Sequence, residues 1–296
     1  MRKCTCVREL YLIRCFTLIR TMKADLHLHS IYSDGKYTPD KICAIAKTRG
    51  LSLLSITDHD TLMGLDDKRA AAKRHGLSYL SGWEISAYDK EEKIHMLGYG
   101  CTMGEAYESF TQKRRAASFA RVEDSVKKCN AIGIPLTVEE VLAMRLHDDV
   151  PAHTMHVARA LQKYVSGTDG EIYEKYLSRG KVANSNIGRP TPREAIEIIH
   201  ALGGVAVLAH PGRIPFDWTE KEKLVSKLKD TGLDGIEAFY TTHTERETAY
   251  FQTLAKRYGL FVTGGSDTHV EDSTHAIGTP DYYAQSEKLL AFIQAP

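Results

Sequence analysis

From residue 24 onward, short apolar runs alternate with stretches whose apolar residues recur every three or four positions. The runs predict strands at 24–29, 52–57, 78–81, 94–99, 204–209, 235–239 and 260–264. The longer period predicts helices over 39–48, 62–75, 192–201, 220–231 and 245–258. Thr38-Pro39 supplies a cap and a first-turn proline for one helix, and Thr191-Pro192-Arg193-Glu194 supplies a capping box for another. Glycines at 50, 76, 203, 232 and 259 suit the helix C-termini. Seven strands alternating with helices predict an α/β fold with a parallel sheet, most simply closed into a (β/α) barrel.

One segment breaks this rhythm. Residues 103–190 carry helical patterns at about 104–131, 137–146, 154–164 and 170–178, with no convincing strand. We read them as a helical insertion that covers the barrel mouth, because the barrel pattern resumes directly afterwards. The expected organisation is therefore a barrel from 22–102 and 191–296, a cap from 103–190 and a non-core extension at 1–21.

The extension carries Arg2, Lys3, Arg8, Arg14 and Arg20 against Glu9 alone, and Arg14 interrupts its apolar stretch. It is too short and too charged for a signal-peptide core. Met22 opens a clean first strand, so an upstream start site is the expected origin of residues 1–21, with an amphipathic or mitochondrial-type leader as the alternative.

Composition narrows the class. The 39 basic and 38 acidic residues give a formal charge of +1, which removes the electrostatic case for a dedicated nucleic-acid binder. The 43% hydrophobic and 26% charged content is that of a globular chain, and no apolar run is long enough for a spanning helix. None of the six cysteines forms a C-x-x-C pair, so free thiols in a reducing cytoplasm are expected.

The histidines and acids change the picture more. In "ADLHLHS" a period-2 strand puts Asp25, His27 and His29 on one face and the leucines on the other. Asp34 follows in a turn. Later apolar runs end with Asp58, His59 and Asp60, with Glu84, with His95, with His210, with Glu237, and with Asp267 and His269. A lone histidine in an apolar run is ordinarily a satisfied core residue, and a lone aspartate after a strand is ordinarily a helix cap. Seven strands that each deliver such a group to one rim are explained better by shared metal ions, since buried unpaired acids and imidazoles are costly. Imidazole and carboxylate without thiolate suit Mn²⁺, Zn²⁺ or Fe²⁺ alike.

The motifs "DLHLHS…SDG", "ITDHDT", "GWEIS", "HMLGY", "AHPGR" and "GGSDTH" resemble those of the polymerase-and-histidinol-phosphatase (PHP) superfamily, over about residues 22–280. The resemblance implies a distorted (β/α)₇ TIM-like barrel with two or three divalent ions. By motif, His27, His29, Glu84 and Asp267 would hold one ion. Glu84 would bridge to a second held by His95 and His210, and Asp34, His59 and His269 would hold a third. Glu84 and Asp267 are then the catalytic acids of the centre, while Asp25, Asp58 and Asp60 are candidates for orienting ligand imidazoles. His243 in "YTTHTE" resembles a family histidine near the mouth that contacts phosphate or donates a proton. Arg159, Arg179 and Lys181 resemble insertion positions that face substrate. The family's "RPHIARAL" reads "TMHVARAL" here, which removes one expected contact.

Two adjacent divalent ions lower the pKa of a shared water and clamp phosphate oxygens for in-line attack. The expected activity is hydrolysis of a small phosphomonoester, a nucleotide such as a 3′,5′-nucleoside bisphosphate or AMP. The competing readings are 5′-3′ exonuclease action on short oligoribonucleotides, histidinol phosphate hydrolysis and a non-catalytic metal-binding module. No membrane or obligate protein partner is indicated.

Overall fold

The computed structural model describes residues 22–89, 92–145, 148 and 150–293. The expectation about residues 1–21 lies outside the described residues. The elements run β1 (Met22–Leu28), α1 (Pro39–Thr48), β2 (Leu53–Ile56), α2 (Leu65–Arg74), β3 (Ser78–Tyr79), β4 (Gly82–Asp89) and β5 (Glu92–Tyr99). Helices α3 (Glu105–Ala131), α4 (Val138–Leu142), α5 (Thr154–Leu161) and α6 (Asp169–Ile172) follow, the last running into a π-helical turn at Tyr173–Leu177. The chain then forms α7 (Pro192–Ala201), β6 (Val205–Leu208), α8 (Trp218–Asp230), β7 (Gly235–Tyr240), α9 (Glu245–Arg257), β8 (Phe261–Gly265), β9 (Tyr283–Ala284) and α10 (Glu287–Leu290).

The strands form two sheets, ordered β3-β2-β1-β9 and β4-β5-β6-β7-β8. Two isolated parallel bridges stitch them together, Leu28 to Thr268 between β1 and the end of β8, and His59 to Glu84 between the end of β2 and β4. Both seams fall on residues that carry, or adjoin, the histidines and acids singled out above. Strands β3 and β4 replace the single third strand expected at 78–81.

The sheet is not wholly parallel. Strand β5 runs antiparallel to both β4 and β6, and β9 runs antiparallel to β1. The reason is connection length. Asp89 pairs with Glu92, so two residues join β4 to β5, whereas a parallel crossover needs roughly a dozen. The expected parallel fourth strand is thereby corrected: His95 sits in the first half of β5, not at a C-terminal end.

The helices match their local signals. Thr38 caps α1 through Lys41 N–H, and Thr191 with Glu194 makes the reciprocal box that opens α7. The main core lies between the larger sheet and α7, α8 and α9, with Trp83, Ile199, Val225, Phe251 and Leu254 buried within it. Helices α3 to α6 bury a separate cluster that includes Val126, Leu136, Val157, Leu161, Ile172 and Leu177. Among the described residues no helix is long and apolar enough to cross a membrane.

Candidate metal centre

Alternation along β1 turns Leu26 and Leu28 into apolar layers, while His27 and His29 meet acids from other strands. One group consists of His27, His29, Glu84 and Asp267; a second of His59, Glu84 and His95; a third of His29, Asp34, His59 and His269. Within each group the ligand-competent atoms lie within 4.8 Å of one another. His210 joins the second, its Nε2 lying 3.0 Å from Glu84 Oε1. All nine residues expected to hold metal thus converge, around a glutamate that is wholly buried.

The detailed contacts distinguish a cation site from a hydrogen-bonded network. His59 Nδ1 lies 2.9 Å from Glu84 Oε2, and His29 Nε2 lies 3.1 Å from Asp267 Oδ1. Yet among the described residues His59 Nδ1, Glu84 Oε2 and both ring nitrogens of His29 have no hydrogen-bond partner. His27 Nε2, His95 Nε2 and His210 Nδ1 are also unpartnered and buried. Groups this close that do not point at each other have lone pairs aimed at common points between them. Leaving so many buried polar atoms unsatisfied costs free energy that coordination of a cation removes. The donor set therefore fits divalent metal.

Burial pushes the Glu84 carboxyl up, but His95, His59 and His27 around it hold it well below the usual carboxylate range. Burial likewise holds the His95 imidazole well down, so it stays neutral and able to donate a lone pair. The backbone is strained where the chain turns into the site: Asp60, His210 and Asp267 have φ of 55°, 25° and 55°, uncommon for non-glycine residues.

A family model for the PHP domain matches residues 25–178. The chain belongs to the PHP family. It is 34% identical over 257 residues to phosphoribosyl 1,2-cyclic phosphate 1,2-diphosphodiesterase of Eggerthella lenta, covering 84% of this chain and 94% of the relative. It is 32% identical over 247 residues to 3′,5′-nucleoside bisphosphate phosphatase of Chromobacterium violaceum, covering 83% and 86%. A solved structure from Bifidobacterium adolescentis, described as a metal-dependent phosphoesterase, superposes with a TM-score of 0.78 at 28% identity, covering 90% of this chain and 94% of that one. This PHP protein is accordingly a metal-dependent phosphoester hydrolase with the family's distorted barrel.

Around the centre of this PHP protein, the orienting roles differ from those expected. Glu237 on β7, not an aspartate, holds a ligand ring: its Oε1 is 3.0 Å from His27 Nδ1, and its Oε2 accepts from the His210 backbone N–H. Asp25 instead binds the backbone N–H groups of Ser266, Gly278 and His27, and burial pushes its carboxyl up to about 6. Asp58 accepts from Ser30 N–H and from the Ser30 and Ser33 hydroxyls, and pairs with buried Lys68 at 2.6 Å. It thereby fixes the loop that presents Asp34. Asp60 accepts from Ser86 N–H and pairs with Arg189.

A cavity of about 780 Å³ opens over the centre, lined by Asp34, His59, His95, Asp267 and His269 below and by residues of α5 and α6 above. Arg159 lines it, but its guanidinium donates to the Asp34 carbonyl at 2.7 Å and pairs with Asp169. Arg179 pairs with Glu92 and Lys181 is exposed; neither lines the cavity. His243 also lies outside it. Its Nδ1–H donates to the Ala238 carbonyl and its Nε2 accepts from Gly212 N–H, which leaves no ring nitrogen for substrate.

Two further residues reach the mouth, neither of them among the candidates above. Arg213, the last residue of "AHPGR", lines the cavity and reaches Tyr240 Oη at 3.1 Å and Asp267 Oδ2 at 3.4 Å. His153 lines it too, with its Nε2 buried and unpartnered. The first was legible as a cation four residues past a strand end. The second carried no signal, because one histidine in a helical segment is ordinary.

Proposed function

We propose that this PHP protein hydrolyses the phosphomonoester of a small nucleotide, a nucleoside bisphosphate or monophosphate. The observation that carries the reading is the set of three donor groups sharing Glu84, His29 and His59 at the floor of a cavity of about 780 Å³. That volume is in the range of small-ligand sites and matches a nucleotide better than a polymer. The nearly neutral chain points the same way.

In this reading His27, His29, Glu84 and Asp267 would hold one ion, Glu84, His95 and His210 a second, and Asp34, His59 and His269 a third. The nitrogen and oxygen donors fit Mn²⁺, Zn²⁺ or Fe²⁺. Bound ions of this kind supply Lewis acidity, lowering the pKa of water and neutralising phosphoryl oxygens. The chain's own groups do the rest. Glu84 and Asp267 set the spacing of the donor groups, and Tyr240 and Arg213 hold the outer oxygen of Asp267. Arg213 also presents a cation to the phosphate at the mouth. His153, whose buried Nε2 has no partner among the described residues, lies beside His59 and offers a hydrogen bond to the departing oxygen. Helices α5 and α6 and the turn at Tyr173–Leu177 supply part of the cavity wall. A cytoplasmic location fits the buried free thiols of Cys43, Cys101 and Cys129.

The test is a screen of the Mn²⁺-loaded full chain with AMP, 3′-phosphoadenosine 5′-phosphate, histidinol phosphate and a 5′-phosphorylated dinucleotide, with released phosphate and nucleotide products both resolved by chromatography. Release from the two adenosine nucleotides is expected. Selective release from histidinol phosphate overturns the substrate class, and cleavage confined to the dinucleotide turns the assignment to a diesterase.

A further inference from the structure

Asp34 differs from its companions in the third donor group in how it is held. His29 directly follows β1, His59 pairs with Glu84 across one seam between the sheets, and His269 follows Thr268 at the other. Asp34 lies instead in the turn between β1 and α1. It also belongs to that group alone, whereas His29 and His59 are shared with the first and second groups. Its Oδ1 is 3.2 Å from His269 Nε2 and its Oδ2 is 3.9 Å from His59 Nε2. A small shift of this turn therefore opens one donor group and leaves the other two as they are.

The barrel grips one side of the turn. Lys36 N–H donates to the His269 carbonyl at 2.8 Å, and the Ser33 hydroxyl donates to Asp58 Oδ1 at 2.7 Å. Ser33 and Asp34 are both buried, yet among the described residues neither carbonyl accepts from a backbone N–H. Buried carbonyls need donors, and helix α5 supplies them. Arg159 Nη2 donates to the Asp34 carbonyl at 2.7 Å. Buried His156 accepts at Nδ1 from the His153 N–H at 2.9 Å, which leaves its other ring nitrogen to donate to the Ser33 backbone. The two side chains are three residues apart and so share a face of α5, while Val157 and Leu161 pack into the insertion's own core. Asp169, at the start of α6, completes the arrangement: its Oδ2 is 3.1 Å from Arg159 Nε and 3.7 Å from Lys36 Nζ. The guanidinium is thus fixed by a carboxylate and a carbonyl at once.

We propose that Arg159 and His156 form a clasp through which the insertion positions Asp34, so that the third donor group closes only when α5 is seated on the turn. This clasp deepens the metal-dependent reading of the site and rests on it. Arg159 is then a positioning residue, in place of the substrate contact expected from its motif. The first and second donor groups do not contain Asp34 and are independent of the clasp.

The experiment titrates the metal-stripped full chain with Mn²⁺ by calorimetry and counts bound ions after equilibrium dialysis. The wild-type chain is expected to bind about three, one for each donor group, and Asp34→Asn about two. Arg159→Ala is expected to weaken that same single ion by about tenfold or more and to leave the other two unchanged. Arg159→Lys keeps a cation that can donate to the carbonyl, so it should recover part of the loss. Adding Arg159→Ala to Asp34→Asn should cost nothing further. Wild-type metal binding in Arg159→Ala, with KM for a nucleotide raised, returns the residue to substrate contact and overturns the clasp. Equal weakening of all the ions marks general loosening and overturns it too. If circular dichroism shows Arg159→Ala unfolded, Asp169→Asn frees the guanidinium from the α6 side at constant volume and carries the same comparison. An Asp34→Asn variant that keeps every ion faults the three-group metal reading and the clasp together. A chain that binds metal as expected but releases no phosphate from nucleotides faults the proposed substrate alone.

Discussion

Glu237 Oε1 meets His27 Nδ1 at 3.0 Å, which leaves Nε2 of the same ring directed at Glu84 and Asp267. The contact fixes both the tautomer and the orientation of a donor imidazole, a role whose removal ordinarily costs 10- to 100-fold in metal affinity. Glu237→Gln keeps the volume but weakens the acceptor. Titration of the metal-stripped variant with Mn²⁺ is expected to show affinity lower by about tenfold or more, with the circular dichroism spectrum unchanged. Unaltered affinity would mean that His27 is held by packing alone.

Asp267 belongs to the first donor group and is gripped from outside by Tyr240 and Arg213. Asp267→Ala is expected to lower kcat for any phosphoester by about 10³-fold or more, roughly 4 kcal/mol of barrier. A phosphate-release assay against matched wild-type protein at saturating metal checks this. Full retained rate would reject the assigned centre.

Lys68 is 1% exposed and neutralises Asp58, which is fully buried and ties down Ser30 and Ser33. Burial raises the Asp58 carboxyl, but the Lys68 ammonium outweighs this and holds it below its ordinary range. Lys68→Met leaves a buried carboxylate without its cation, and removing one partner of such a pair destabilises by about 3–5 kcal/mol. Urea denaturation should show that loss. Lys68→Met combined with Asp58→Asn should recover part of it.

Two buried imidazoles at the start of α5, His153 and His156, add a pH-dependent contribution to stability. Burial pushes His153 down to about 3 and His156 down to about 4, from an ordinary 6.5. Between pH 6.5 and those values the unfolded chain binds protons that the folded chain does not. Stability is therefore full above pH 6.5 and falls as the pH drops toward 4, by an amount on the order of 3 kcal/mol for His156 alone. Urea midpoints at pH 7.5, 6 and 5 are expected to decline in that order, and His156→Gln should flatten the decline. His156 Nδ1 accepts from the His153 backbone N–H, so the variant also reports on the start of α5.

Much of the fold was legible because its signals are local. Period-2 alternation in "ADLHLHS" decides which side chains of β1 face the acids, and Thr191 with Glu194 decides where α7 begins. Histidines and acids that close apolar runs could be marked as candidates because burial without a partner is expensive, but that set also held Asp58, Asp60 and Glu237, and the narrower set of nine came from the motifs' resemblance to the PHP superfamily. Strand direction was less accessible. The short link between Asp89 and Glu92 forces β5 to run backward, yet in sequence the first half of that hairpin blends into the end of β3.

Local pattern marks the histidines and acids that end apolar runs and the strand face they share, and the motifs single out the candidate ligands among them. Only the tertiary structure decided who holds whom. It gave the ring of His27 to Glu237 across 210 positions, drew Arg159 onto the Asp34 carbonyl and away from substrate, and closed both nitrogens of His243 on backbone groups. It also paired Arg189 with Asp60 across 129 positions. The physical reason is that a hydrogen bond or an ion pair depends on distances of a few ångströms between distant segments, and no local period records those distances.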